Sequence, residues 1–148
     1  MPILTRRSPA NVINITQSVQ YTLALTAEER TRSRYRWEIA DEEVLHLTLA
    51  RGTVLQEGDL LYTDAGDYAV RVVCKPEPVF TVRSPQPLNL LRAAYHLGNR
   101  HVPLEVRSDY LRLSPDPVLK HLLVHLDVEV LEEMTPFYPE AGAYHHNH

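Results

Sequence analysis

The sequence carries a single cysteine, Cys74, so an internal disulfide is excluded; the residue lies in an apolar strand-like run and is expected to be a buried thiol. No apolar stretch approaches the roughly 20 residues that a membrane span requires. The opening MPILTRRSPANV lacks the continuous apolar core of a secretory signal. These absences point to a cytoplasmic chain with no membrane attachment. A basic surplus is missing as well: 15 Lys and Arg stand against 19 Asp and Glu, for a formal net charge of −4. Nucleic-acid binding is therefore not expected, because phosphate neutralisation supplies most of its non-specific affinity. Catalytic signatures are equally scarce. The chain has no Gly-rich phosphate loop, no GxSxG elbow and no cysteine–histidine pairing of the usual kind. Missing motifs do not exclude catalysis, since triads assemble from distant residues, but no base or nucleophile can be named.

What is present is ordinary globular material. Hydrophobic residues make up 44% and charged residues 23% of 148, enough for one domain or two very small ones. The first half alternates in period two: Val19, Tyr21, Leu23 and Leu25, then Leu45, Leu47 and Leu49, then Tyr68, Val70 and Val72. Such alternation predicts half-buried strands. The stretches IADEE, QEGD and DAGD between them carry turn residues. No helical period precedes residue 84, so residues 1–75 read as an all-β domain.

Prolines 76, 78, 85 and 87 mark a change of pattern. In PLNLLRAAYHL, from Pro87 to Leu97, apolar residues 90, 91, 94 and 97 fall at helical spacing, with Gly98 as the expected stop. The runs HVPLEV and YLRL, separated by Arg107, Ser108 and Asp109, predict a hairpin. In DPVLKHLLVHL, Asp116 is a good N-cap, Pro117 suits the first helical position, and Val118, Leu119, Leu122, Leu123 and Leu126 form an apolar stripe. DVEVLEE predicts a last strand. With VFTVR (79–83) as the first, residues 77–133 spell β-α-β-β-α-β, the ferredoxin-like order. The expectation is an α+β protein: an N-terminal all-β domain (1–75), a ferredoxin-like domain (76–134) and a flexible histidine-bearing tail (135–148).

Histidine supplies the most suggestive chemistry. Metal binding needs several deprotonated ligands at one point, and imidazole suits Ni, Cu and Zn. Three of the eight histidines, His145, His146 and His148, stand in the last four positions. They read as ligands for an ion held elsewhere, or as a tag or solvated end. His96 falls in the last turn of the first helix, where a cation favours the helix C-terminus. His101 opens the following strand-like run, with Val102, Leu104 and Val106 on the other face, and an isolated strand histidine is more often structural than a ligand. His121 and His125 have i, i+4 spacing but no Glu between them, so HLLVH is not HExxH. They read as boundary histidines covering the edge of the core. In RTRSRYR, Arg30, Arg32, Arg34 and Arg36 alternate and would line one strand face. That is either a solvated, edge-protecting face or a basic ledge for an acidic partner segment, with Arg32 and Arg34 as its centre.

Two segments carry a specific likeness. AAYHLGNRHVPLEV (93–106) and PFYPEAGAYHHNH (136–148) closely resemble the UreE urease accessory protein family. RTRSRYR and LARGTVLQEGDLLYTDAGDYAVRV resemble its first domain, so the likeness covers nearly the whole chain. The resemblance implies a cytoplasmic homodimer, a metallochaperone that carries Ni(II) to the urease apoprotein during active-site assembly, working with other accessory proteins including the GTPase UreG. It implies a peptide- or partner-binding N-terminal domain, His101 as the metal ligand at the dimer interface, and His145, His146 and His148 as accessory ligands. Nickel rests on this resemblance, since Zn(II) or Cu(II) would bind the same imidazoles. The main rival is a peptide-docking module with incidental metal affinity.

Overall fold

The computed structural model describes residues 2–10, 18–39 and 43–141. It divides into two compact units, Met1–Cys74 and Lys75–His148. Strands dominate the first and two helices join a single sheet in the second, so the α+β class expected from the sequence is the one found.

The first unit contains β1 (Ile3–Leu4), β2 (Arg6–Ser8), β3 (Tyr21–Leu25), β4 (Arg34–Glu38), β5 (Val44–Thr48), β6 (Leu60–Tyr62) and β7 (Ala69–Cys74). They form two sheets, ordered β1-β5-β4 and β2-β6-β7-β3. Alternation decides which residues go inside. Leu23 and Leu25 of β3 are buried while Thr22 and Ala24 are exposed. Leu4, Trp37, Leu45 and Leu47 from one sheet join Leu23, Leu25, Leu61, Val70 and Val72 from the other in one core. The turn in QEGD is held at Gly58, whose φ of 83° suits glycine and whose missing Cβ leaves room for Ala10.

The arginine run departs from its expected single strand. Glu29–Thr31 is one turn of 3-10 helix, set up by Thr26 and Glu29. The Thr26 amide donates to Glu29 Oε1 at 2.9 Å and the Glu29 amide donates to Thr26 Oγ1 at 3.3 Å. This reciprocal capping, T-x-x-E, was the missed signal. Arg30 is consequently turned inward and buried, with its guanidinium against the Cys74 sulfur. Only Arg34 and Arg36 share a face of β4.

The second unit runs β8 (Glu77–Arg83), α1 (Pro87–Asn99), β9 (Glu105–Val106), β10 (Leu111–Leu113), α2 (Pro117–Val124) and β11 (Glu129–Thr135), in the order β-α-β-β-α-β. Its antiparallel sheet is ordered β11-β8-β10-β9. Phe80, Val82, Leu111 and Leu113 of the sheet pack with Ala93 and Leu97 of α1 and Leu123 of α2. Asp116 caps α2 as expected, accepting from the Val118 and Leu119 amides at 2.8 and 3.1 Å. Arg107, Ser108 and Asp109 lie in the expected β9–β10 hairpin turn, where the Arg107 amide donates to the Tyr110 carbonyl. Among the described residues no helix is long and apolar enough to cross a membrane.

Two expectations for this unit need correction. α1 continues through Gly98, and His101 belongs to no strand; β9 begins only at Glu105. Residues 135–141 are also bound into the unit rather than being free tail. Thr135 ends β11, Phe137 is 1% exposed, and the Glu140 amide donates to the Leu104 carbonyl at 2.8 Å.

Candidate metal centre

The end of α1 determines where His101 points. The Val102 amide donates to the Leu97 carbonyl at 3.2 Å and the His101 amide to the Gly98 carbonyl at 3.0 Å. These are the two bonds of a Schellman motif, with Val102 and Leu97 in the same apolar cluster to close it. The motif places the residue after the helix cap in the left-handed region, and here that residue is His101, with φ 59°. Glycine usually fills this position because a Cβ is disfavoured there. Gly98 stands three residues too early to do so and lies within the helix. The His101 side chain is exposed and lines a depression with Arg100, Val102, Pro103, Asp116 and Leu119, against the start of α2.

A polar cluster lies below this segment, on the sheet face away from the helices. Glu105, Arg112 and Thr81 are in register across β9, β10 and β8, so their side chains project together. Glu105 is buried to 1% and accepts from Arg107 Nε at 3.0 Å, with Arg112 Nη1 at 3.6 Å. Hydrogen bonding to Glu105 and its charge push the Arg107 guanidinium above its usual range. Arg112 also reaches Thr81 Oγ1 at 3.1 Å and Glu133 at 3.6 Å.

The remaining oxygen of Glu105 holds the C-terminal segment. The Tyr138 amide donates to Glu105 Oε1 at 2.9 Å, two residues before the Glu140 bond to Leu104. As the chain advances from 138 to 140 its partners step back from 105 to 104. Residues 138–140 are thereby held against Leu104 and Glu105, three and four positions after His101. Sequence reading missed this anchor, whose only local trace is the apolar Phe137 in a stretch otherwise read as tail.

The other predicted residues are distributed as follows. His96 is half-buried in α1 and does not line the depression at His101; its carbonyl accepts from Arg100. His121 and His125 are exposed rather than tucked over the core edge, and their rings lie 4.5 Å apart. Arg32 pairs with Glu28 at 2.9 Å and lies 4.3 Å over the Tyr35 ring, while Arg34 is exposed. His145, His146 and His148 lie outside the described residues. Among the described residues no three His, Cys, Asp or Glu side chains converge on a common point.

Two family models cover the chain almost end to end: the N-terminal domain of the UreE urease accessory protein over residues 3–75, and its C-terminal domain over residues 77–148. The chain belongs to the UreE urease accessory protein family. The chain is similar to urease accessory proteins UreE of Nostoc punctiforme, at 55% identity over 88% of this chain and 90% of that protein, and of Nostoc sp., at 53% over 88% and 89%. The Microcystis aeruginosa UreE is 52% identical over 89% of this chain and 83% of its own length. Membership makes the chain an accessory protein of urease maturation and not an enzyme. The family resemblance read from GNRH and PFYPEAGAY is thus the relationship found.

Proposed function

We propose that this UreE-family chain is a cytoplasmic, homodimeric nickel metallochaperone in which His101 anchors the ion and the C-terminal histidines assist. The observation that carries the reading is the conformation of His101. An exposed imidazole occupies a left-handed position where glycine would serve the fold better. Retaining a strained residue at an exposed cap is the pattern of a side chain kept for its chemistry.

One imidazole is a poor site. A twofold axis beside His101 would supply a second, because an isologous contact duplicates every residue. The tail can supply the rest. From Glu140, pinned at Leu104, to His145 is five residues, and an extended chain spans about 3.3–3.6 Å per residue. His101 is only three residues from Leu104, so His145, His146 and His148 all have the reach. Such a ligand set binds firmly yet loses its outer members first, which suits delivery to the urease apoprotein and exchange with UreG. By the usual affinity order Cu(II) and Zn(II) compete for the same imidazoles, so selection for nickel comes from the partners and not from ligand type. The ferredoxin-like reading of residues 76–134 as the dimerising metal domain, and of 1–75 as the partner-binding domain, is supported by the β-α-β-β-α-β order and by the separate core of each unit.

The test is a Ni(II) titration of the wild type and His101→Ala. The variant should remain folded and dimeric but lose tight binding; unchanged affinity would refute the role of His101. Partner docking by the N-terminal unit is a compatible second reading, favoured by the exposure of Arg34 beside the 40%-exposed Tyr35. The double variant Arg32→Glu/Arg34→Glu should weaken capture by urease partners and leave nickel affinity alone.

A further inference from the structure

The pair His121 and His125 serves neither the core nor the proposed His101 centre. Both rings are exposed, His121 in the last turn of α2 and His125 at its C-cap, 4.5 Å apart and inclined at 58°. The spacing places them one turn apart on the same helical face. They line a shallow groove with Arg100, Val118, Leu119 and Leu122, which adjoins the depression at His101 through Arg100 and Leu119.

The state of one ring is fixed by its neighbour. His125 Nδ1 lies 2.9 Å from the His121 carbonyl oxygen. A carbonyl has no proton to give, so Nδ1 carries the hydrogen and the neutral ring keeps its lone pair on Nε2. A ring nitrogen donating to a backbone carbonyl while the other stays open is the usual arrangement around metal-ligating histidine, because it holds the ring and makes the free nitrogen more basic. Among the described residues that line the groove none is a carboxylate, and the charged one, Arg100, is turned to the His96 carbonyl at 3.0 Å.

From this geometry we infer that His121 and His125 form a second, weaker site for a divalent transition ion, Ni(II), Cu(II) or Zn(II), bound by two imidazoles with water completing the shell. The ion is not shared with His101 of the same chain, since no three such side chains converge among the described residues. Each chain therefore takes up one extra ion, held less firmly than at a centre with more ligands.

The test is equilibrium dialysis of the full-length protein against Ni(II), and separately Cu(II), for the wild type, His101→Ala, and the double variant His121→Ala/His125→Ala. The double variant should lose one weakly held ion per chain and keep the tighter one; His101→Ala should do the reverse. Either single substitution on α2 should weaken the extra site at least about tenfold, the minimum that loss of even an outer-shell partner costs. Circular dichroism checks that α2 persists. Unchanged uptake and affinities in the folded double variant overturn the inference. Loss of the weak ion in the double variant, with tight binding retained by His101→Ala, would uphold this site while refuting the His101 centre.

Discussion

Glycine at position 101 would suit the backbone better than the histidine that stands there. Its left-handed φ of 59° is set by the two Schellman bonds, which depend on the backbone and not on the imidazole. His101→Gly should therefore stabilise the chain by about 1 kcal/mol, the usual advantage of glycine at such a position. Thermal or urea unfolding measures it; a less stable variant would show that the side chain itself holds the turn. The conformation was hidden from the sequence because Gly98, three residues earlier, is the expected helix stop. The choice of His101 as the turn residue depends on how Leu97 and Val102 meet in the core. Arg30 illustrates the same difficulty: alternation in RTRSRYR suggested a strand, but capping by Thr26 and Glu29 overrode it and turned Arg30 onto Cys74.

α2 could be read from its sequence because its determinants are local. Asp116, Pro117 and the leucine stripe lie within a dozen residues, and the cap bonds are those expected. Asp116→Ala should cost about 1 kcal/mol in a denaturant titration, leaving the two N-terminal amides of α2 to water. The anchored segment 136–141 could not be read, since Glu105 meets Tyr138 across 33 positions of sequence. Phe137→Ala should destabilise the unit by about 3–5 kcal/mol, because the side chain is 1% exposed. It should also loosen the segment that carries the tail. Nickel affinity should then fall in the full-length variant, but Phe137→Ala should have no further effect on affinity in a chain ending at Ala141. Equal losses in both backgrounds would show that the anchor acts on the fold alone.

Across the whole molecule, period-two alternation and the change of pattern at the proline cluster were enough to read an all-β half and a β-α-β-β-α-β half. Short strands such as β1 and β9, only two residues each, leave no periodic trace and are defined by their neighbours. The proposed metal centre is legible only in part, because on that proposal a single chain supplies one anchored ligand, and the dimer and the tail would supply the others. Every proposed ligand is an imidazole that must be neutral to bind. Protons compete with the ion for the same nitrogens, so nickel affinity should fall from neutral to mildly acidic solution; an affinity independent of pH over that range would point to carboxylate ligands. The most direct test of the central claim is a Ni(II) titration of the wild type beside His101→Gly, with unfolding followed on the same samples. The expected result is a variant more resistant to unfolding that has lost tight nickel binding. A variant that keeps tight nickel binding would contradict the claim that the strain at His101 is maintained for the metal.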